Sequence, residues 1–344
     1  MKIDFKKAGI IIVIAAVLIF FVMFSIRTVA GEEKFAMVVN TEYLDILKIM
    51  ITQAEKEILV LHFEFHYDNV ISEIQKLLVD ANKRGVKVKL LIENSLKCNK
   101  SSEYHLKKLG LDIKLDSEEN YQHNKVIIVD KKYLLVGSSN LSYMSLLNNN
   151  ETNLYTESEK IAGVFRKYFF RLWEKDSHIT ETITGDTWKI IYGKNSYDEI
   201  LSLLNKAEKR IYLIMYGINF NPDRESMINE LIYSIEKAST RGVDVRVLLE
   251  TSNEGFGKGI SDMNMRTYDY LRSKNISVFL DSPEIITHAK LLITDNIVVV
   301  GAANWGYNSF YKYNNTTVTV DDQNLAEAFI GYFEKCRSEG LNQK

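Results

Sequence analysis

The chain is poor in cysteine and proline, and this scarcity excludes several classes of protein. Its only cysteines, Cys98 and Cys336, are too few for a disulfide framework, although one bond between them in an oxidising compartment stays open. No Cys-x-x-Cys pair or Cys/His cluster has the spacing of a zinc site. With 2 prolines, 11% aromatic and 46% hydrophobic residues among 344, the composition indicates a folded protein rather than a disordered one.

The chain also lacks a strong excess of charge. Its formal net charge is -2. Residues 1–27 contain four basic residues and one acidic residue, so the rest has 39 basic and 44 acidic residues and a net charge of -5. Contact with nucleic acid or anionic lipid would therefore depend on a local patch.

A long stretch without charge lies at the N-terminus. Ala8–Ile26 contains 19 residues and no charged side chain, and at about 1.5 Å per residue it reaches roughly the thickness of a bilayer core. We therefore predict one N-terminal transmembrane helix, an uncleaved membrane anchor within residues 1–30. A signal peptide cleaved near Thr28–Ala30 is the alternative. Three lysines precede the run, so the positive-inside rule predicts a single-pass protein with the rest of the chain outside the cytoplasm.

The chain after this segment contains one pattern twice, with a period of about 155 residues. In each copy an apolar run predicts a buried strand, and an amphipathic helix, a glycine and an alternating strand follow it. These elements are predicted at Ile58–Phe65, Val70–Asn82 and Arg84–Leu91, and again at Ile211–Ile218, Met227–Ser239 and Arg241–Leu248.

More strands and helices alternate through the rest of each copy. They are predicted at Glu103–Leu109, Asp112–Leu115, Tyr133–Val136 and Glu159–Trp173, and at Met263–Ser273, Ser277–Leu280, Ile297–Val300 and Asn324–Arg337. This alternation predicts an α/β fold with two similar α/β sandwich halves. We place half 1 at residues 36–179 and half 2 at residues 186–344, with Thr180–Asp186 as the connection.

Each copy contains a His-x-Lys-x4-Asp motif followed by a small-residue turn that ends in Asn. The motif residues are His123, Lys125 and Asp130 with Gly137-Ser138-Ser139-Asn140, and His288, Lys290 and Asp295 with Gly301-Ala302-Ala303-Asn304. Residues i and i+2 of an extended segment project from the same face, so each histidine is expected beside its lysine. A single His-x-Lys carries little weight, but two copies with the same spacing are far outside chance.

An imidazole beside an ammonium group suits a phosphate. The lysine supplies charge, and the histidine nitrogen can attack phosphorus or donate a proton. Two such units related by pseudo-twofold symmetry would place histidines on opposite sides of one phosphorus, so that one attacks while the other protonates the leaving oxygen. The amides of Asn140 and Asn304 and the hydroxyls of Ser138 and Ser139 are predicted to bind the phosphate.

The two aspartates have two open interpretations. Asp130 and Asp295 are grouped here with the catalytic residues as charges near the histidines. The alternative is that they order the turn after the apolar strand, where aspartate is common.

These motifs resemble the signature of the phospholipase D superfamily, which is His-x-Lys-x4-Asp followed by Gly-Ser-x-Asn, present twice. The likeness runs from about Ala36 to the end of the sequence. It implies two α/β halves facing each other, and a phosphodiesterase that forms a phosphohistidine without a metal or other cofactor. By this resemblance His123 is the nucleophile and His288 the general acid, although the symmetry leaves the reverse order open.

The resemblance also implies roles for residues around the histidines. Glu151 is expected to hold a histidine through a carboxylate–imidazole hydrogen bond. The phosphate-binding groups are expected to be Lys125, Lys290, Asn140 and Asn304. The second copy departs from the pattern, because Ala302 replaces the usual serine and Asn315 stands opposite Glu151. These changes put a symmetric division of labour in doubt.

Two weaker signals lie outside the motifs. His62, Glu64 and His66 alternate on the first predicted strand, which suggests either residues that line the pocket or, less strongly, a metal site. The Tyr- and Asn-rich stretch Trp305–Asn315 is either a substrate-facing loop or an ordinary surface loop.

Several functions fit these observations. The membrane anchor favours hydrolysis or transfer of phosphatidyl groups of phospholipids at the membrane. Compact halves without large inserted loops favour the alternative, an extracytoplasmic nuclease that acts on DNA or RNA. A non-catalytic binding protein is disfavoured by two complete His/Lys pairs. Because both halves lie in one chain, no obligate protein partner is implied.

Overall fold

The computed structural model describes residues 33–119, 121–175, 178–251 and 257–341. Within these ranges, no helix combines the length and the hydrophobicity that crossing a membrane requires. The predicted anchor at residues 1–30 lies outside the described residues.

The first half begins with strand β1 (Ala36–Val39) and helix α1 (Glu42–Gln53), which the sequence patterns did not predict. The following elements are β2 (Glu57–His62), α2 (Asn69–Lys83), β3 (Lys87–Ile92), α3 (Lys97–Lys108), β4 (Asp112–Leu115), β5 (Tyr121–Gln122), β6 (Lys125–Val129), β7 (Tyr133–Gly137), α4 (Tyr143–Leu147), β8 (Thr152–Glu157) and α5 (Glu159–Lys175).

The second half begins with strand β9 (Glu181–Thr184), so the predicted connection Thr180–Asp186 contains a strand. The following elements are β10 (Trp188–Tyr192), α6 (Asn195–Lys206), β11 (Arg210–Met215), α7 (Met227–Thr240), β12 (Asp244–Leu249), α8 (Gly257–Ser273), β13 (Ser277–Leu280), β14 (Lys290–Thr294), β15 (Ile297–Gly301), α9 (Tyr307–Tyr311), β16 (Tyr313–Asn314), β17 (Thr316–Asp321) and α10 (Gln323–Leu341).

The two large sheets have the same strand order. The first is β1-β8-β7-β6-β2-β3-β4, and the second is β10-β17-β15-β14-β11-β12-β13 with β9 added beside β10. In both sheets the strands joined by long helical crossovers, β2-β3-β4 and β11-β12-β13, pair in parallel. The α/β class and the internal repeat are therefore confirmed.

A single hydrophobic core joins the halves. One cluster of buried residues contains strands of both sheets together with the apolar faces of α5 and α10. Phe165 of α5 and Phe329 of α10 are both 0% exposed and occupy equivalent positions in the two copies. Two other clusters each belong to one half. The shared cluster sets the two sheets, and the histidine segments at their ends, in fixed relation to each other.

The motif aspartates order strand ends. Asp130 accepts backbone N–H groups of residues 55–57 at 2.7–2.9 Å, and Asp295 accepts those of residues 208–210 at 2.7–3.1 Å. Both have positive φ, 52° and 54°, in a turn where Asp is tolerated. Each aspartate follows a five-residue strand that begins with the motif lysine. The aspartate therefore lies about 16 Å from the end of the strand that carries the histidine and the lysine. These contacts fit the turn-ordering interpretation, and a catalytic role for the two aspartates remains a prediction.

Candidate active site

The histidine segments are brought together by short pairings between the halves. Strand β5 pairs in parallel with β16, and the backbone N–H of His123 donates to the Asn314 carbonyl at 3.0 Å. On the other side, the N–H of Asn150 donates to the Ile286 carbonyl at 2.9 Å. Each His/Lys pair therefore lies against backbone of the opposite half.

Each motif histidine is hydrogen-bonded by a side chain of the opposite half. His288 Nδ1 lies 3.0 and 3.1 Å from the carboxylate oxygens of Glu151. His123 Nδ1 lies 3.0 Å from Asn315 Oδ1, and the Asn315 amide nitrogen donates to the Ser309 carbonyl at 2.7 Å. Both acceptors favour a proton on Nδ1 and leave Nε2 as the reactive atom. The prediction that Glu151 holds a histidine is confirmed, and that histidine belongs to the other copy.

The two imidazoles differ in their electrostatic surroundings. Burial, followed by the charges of Lys125 and Lys290, holds the pKa of His123 well below its usual value. Burial also lowers the pKa of His288, but the charge of Glu151 opposes this effect. The charge of the lysine in the other copy lowers the pKa of each histidine, so the four residues form one site. His123 is the neutral partner at neutral pH, and His288 has the carboxylate that can stabilise an imidazolium.

Glu151 is buried but ionised. Burial by itself raises the pKa of this carboxyl, but His288 and Lys290 lower it, with a hydrogen bond from Ser138, to about 2. Its two oxygens also accept hydrogen bonds of 2.5 Å from the hydroxyls of Ser138 and Ser145. A carboxylate held by two hydroxyls keeps its charge and its orientation toward the imidazole.

The motif lysines pack against equivalent aromatic rings. Lys125 Nζ lies 4.7 Å from the ring centre of Phe63, and Lys290 Nζ lies 4.9 Å from that of Tyr216. Each ammonium also donates to the carbonyl of its own motif histidine. Burial lowers the pKa of Lys125 well below its usual value and that of Lys290 to about 7. A bound phosphate anion would raise both pKa values, because it adds an opposite charge.

The serines of the first motif hydrogen-bond to side chains around the histidines. Ser138 donates to Glu151, while the Ser139 hydroxyl accepts from the Asn153 amide at 2.9 Å, and both serines are 0% exposed. The Ser138 proton is used by Glu151, while Ser139 only accepts, so phosphate binding by the two hydroxyls remains a prediction.

The motif asparagines are placed differently from the serines. Asn140 is 8% exposed, and its Oδ1 and that of Asn304 have no hydrogen-bond partner among the residues that the structure describes. An amide oxygen accepts hydrogen bonds, so these unpartnered atoms are not the ones that would bind phosphate oxygens, which need the amide N–H groups of the same side chains. Both remain predicted phosphate-binding residues.

Two buried carboxylates beside the histidines were not predicted. Glu93 accepts the N–H of Gln122 at 2.6 Å, and Glu250 accepts the N–H of Thr287. Both accepting carboxylates fix the residue immediately before a motif histidine. Each glutamate directly follows an equivalent strand, β3 or β12, so a closer alignment of the two copies could have found them.

The weaker signals are partly corrected. Strand β2 ends at His62, so the alternating strand through His66 is wrong, and His62 is fully buried with its Nδ1 3.2 Å from the Glu64 carbonyl. Glu64 and His66 do meet, at 2.5 Å. Trp305 is 1% exposed and belongs to the core rather than to a substrate-facing loop. Both cysteines are free.

The fold and the site define a protein with two phospholipase D-like halves. Residues 47–173 and 200–337 both match a family described as "Cardiolipin synthase, PLD-like domain". The chain belongs to this family and, through it, to the phospholipase D superfamily.

The relatives span lipid enzymes and a protein without an assigned function. The chain is 24% identical to an uncharacterized protein of Streptococcus mutans over 78% of this chain and 63% of that protein. It is 24% identical to the cardiolipin synthase of Halalkalibacterium halodurans over 76% and 60%, and 34% identical to the human mitochondrial cardiolipin hydrolase over 27% and 38%. The chain thus spans less than two thirds of these relatives.

Solved structures share the fold. The phosphatidylserine synthase of Haemophilus influenzae superposes with a TM-score of 0.65 at 14% identity, over 90% of this chain and 87% of that one. The polyphosphate kinase of Porphyromonas gingivalis gives a TM-score of 0.63 at 17% identity, over 88% and 46%. At such identities the likeness concerns the fold alone.

Proposed function

We propose that this protein is a phosphodiesterase that hydrolyses or transfers phosphatidyl groups of phospholipids through a phosphohistidine intermediate. The observation that carries the proposal is the pair of crossed hydrogen bonds, Glu151 to His288 and Asn315 to His123. They leave two differently tuned imidazoles, each with Nε2 free, beside two lysines in one site. Such a pair suits nucleophilic attack at one side of phosphorus and proton donation at the other.

The roles of the histidines follow from their partners. His123, with a depressed pKa and a neutral amide partner, keeps the Nε2 lone pair that attacks phosphorus. As the bond from phosphorus to the leaving oxygen breaks, the imidazolium form of His288, which Glu151 stabilises, donates its Nε2 proton to that oxygen. His288 then takes a proton from water or an alcohol, whose oxygen attacks the phosphohistidine and releases His123. Lys125 and Lys290 neutralise the negative charge on the phosphoryl oxygens.

Two short helices support a lipid surface as the place of action. Helix α4 lies between Asn140 and Glu151, and helix α9 lies between Asn304 and Asn315, so each starts and ends beside a site residue. Their outward side chains are large and apolar: Tyr143, Met144 and Leu147 on α4, and Tyr307 and Tyr311 on α9, with exposed fractions of 37–55%. Such side chains are favoured at a membrane–water interface.

The family match and the charge agree with this substrate class. The family carries the description "Cardiolipin synthase, PLD-like domain", and one relative is a cardiolipin synthase. The net charge of -5 beyond residue 27 disfavours a polyanion such as nucleic acid. The proposed anchor would station the enzyme at its substrate, outside the cytoplasm.

The test uses the full chain with EDTA present and compares labelled phospholipid vesicles with a labelled single-stranded oligonucleotide. We expect release or exchange of the lipid headgroup, lost in His123→Ala and His288→Ala. Alkaline denaturation, which preserves a phosphorus–nitrogen bond that acid hydrolyses, should trap the phosphatidyl label on the wild type but not on His123→Ala. Oligonucleotide cleavage with intact lipid would overturn the substrate class, and full turnover in either variant would overturn the mechanism.

A second variant separates the lipid surface from the chemistry. Tyr307→Ser/Tyr311→Ser removes apolar area from α9 but no side chain that contacts a motif histidine. We expect a higher KM for vesicles and an unchanged rate on a water-soluble, short-chain phospholipid. Equal losses on both substrates would contradict a role in interfacial binding.

A further inference from the structure

A group of metal-ligating side chains lies outside the histidine pair. Glu64 and His66 follow strand β2, and Cys98 lies in the first turn of α3. One carboxylate oxygen, one imidazole nitrogen and the thiol sulfur all lie within 4.8 Å of one another. All three residues are partly exposed, so an ion could reach them from solvent.

The backbone around this group is rigidly held. The Ser102 hydroxyl donates to the Phe65 carbonyl at 2.8 Å, and the Phe65 N–H donates to the side chain of Asn99 at 2.8 Å. The N–H of His66 donates to the Leu141 carbonyl at 2.9 Å. Because Asn99 and Ser102 belong to the same helix as Cys98, these bonds tie the segment that carries Glu64 and His66 to the helix that carries the thiol.

We propose that Glu64, His66 and Cys98 form a binding site for one borderline-soft divalent cation of the Zn²⁺ class. Thiolate, imidazole and carboxylate are the three ligand types that zinc takes, and three protein ligands leave a fourth position for water. Donor atoms around a tetrahedral zinc lie about 3.5 Å apart, so rotations of three partly exposed side chains suffice to close the site.

The hydrogen bonds within the group show what the cation would replace. His66 Nε2 lies 2.5 Å from Glu64 Oε1, so two of the ligand atoms already meet. Zinc ligands bind without their protons, so a cation would displace the proton between these two atoms and the thiol proton, and its affinity should increase with pH.

The three ligands differ from the residues assigned to the chemistry, because neither motif histidine belongs to this group. The charge of Glu64 does act on the motif lysine Lys125, whose pKa it raises. Cation binding is measurable without an activity assay, and failure of this proposal leaves the proposed function untouched.

The experiment titrates the full-length reduced protein with Co²⁺, whose thiolate complexes give a near-ultraviolet charge-transfer band, and then displaces it with Zn²⁺. The chain has two cysteines, and Cys336 is fully buried with a pKa raised to about 12, so a thiolate band reports Cys98. We expect one equivalent of Co²⁺, and at least a tenfold weaker Zn²⁺ affinity by calorimetry in Cys98→Ser and His66→Gln.

Two controls decide the assignment. His105→Gln removes another histidine of helix α3 and should bind as the wild type does, and His288→Ala should also retain the band. Circular dichroism melting checks that Cys98→Ser is folded. Absence of a thiolate band in the wild type, a band that persists in Cys98→Ser, or loss of the band in His288→Ala would each overturn the proposal.

Discussion

At the scale of single residues, the main asymmetry of the site is the partner of each imidazole. A carboxylate stabilises a protonated histidine, while an amide oxygen with its nitrogen committed elsewhere does so far less. Glu151 and Asn315 therefore give two chemically identical side chains different surroundings, which we propose make one an acid and the other a nucleophile. The resemblance favours His123 as the nucleophile, but the nearly identical motifs leave the reverse order open.

Exchanging these partners should move opposite limbs of the pH–rate profile. Glu151→Gln removes the charge that raises the pKa of His288, so the alkaline limb of kcat/KM should move to lower pH and activity near neutrality should fall roughly 10- to 100-fold. Asn315→Asp raises the pKa of His123, so the acidic limb should move to higher pH. Shifts of the opposite limbs would show that the two histidines have exchanged roles.

The lowered pKa of Lys290 predicts a second pH effect, on the KM for the phosphodiester substrate. Burial lowers the pKa of Lys290 to about 7, so the free enzyme loses this charge above neutrality, while a bound phosphodiester would retain it. KM should therefore rise with pH above about 7, by up to about tenfold per pH unit. Lys290→Arg, which stays charged, should abolish the rise. A KM that is constant from pH 6 to 9 in the wild type would contradict this prediction.

At the scale of elements, the strand-end aspartates have a structural role. Asp130 and Asp295 join the start of one central strand to the end of its neighbour, and so hold the strand that carries the lysine at its other end. Three N–H groups on one carboxylate give a strong local tie. Their repetition in both halves reflects a repeated structural need.

Removing one of these charges should cost stability and leave the chemistry intact. Asp295→Asn keeps the positive φ accessible but weakens three hydrogen bonds, so we expect a loss of about 1–3 kcal/mol in urea unfolding at pH 7. Burial alone raises the pKa of Asp295, but the backbone N–H groups lower it below 3.8. The stabilisation is thus present above pH 4 and should fade as the pH falls below it. A kcat reduced as in the histidine variants would support the catalytic interpretation.

Sequence patterns predicted elements well where a period could be counted. The helices at 69–83 and 227–240 and the strands at 112–115 and 277–280 agree with the predictions within a residue. Strand β1 and helix α1 were missed, because the first repeated element recognised in the sequence starts at Ile58. The positions of Ser138 and Asp130 relative to the phosphate site depend on long-range hydrogen bonds, which residue spacing does not specify.

At the scale of the whole molecule, the two halves share one hydrophobic cluster. The cluster that contains α5 and α10 takes side chains from both sheets, and site residues of each half depend on the other. A half on its own would expose much of this apolar surface. Unfolding should therefore involve both halves together.

Equivalent core substitutions test this cooperativity. Phe165→Ala and Phe329→Ala should each cost about 3–5 kcal/mol and shift one urea transition in which tryptophan fluorescence and circular dichroism coincide. Leu78→Ala, in a cluster confined to the first half, is the matched control and should shift the same single transition. Two separate transitions, with each variant moving only one of them, would show that the halves fold independently.

The crossed contacts also bear on why two copies share one polypeptide. In a homodimer of a single half, both histidines would meet the same partner, since every substitution is copied into both subunits. After fusion, each position mutates alone, and a carboxylate on one side can coexist with an amide on the other, as Glu151 and Asn315 do. When the two copies are joined in one chain, the two histidines can therefore acquire different partners and different roles, which a symmetric assembly does not allow.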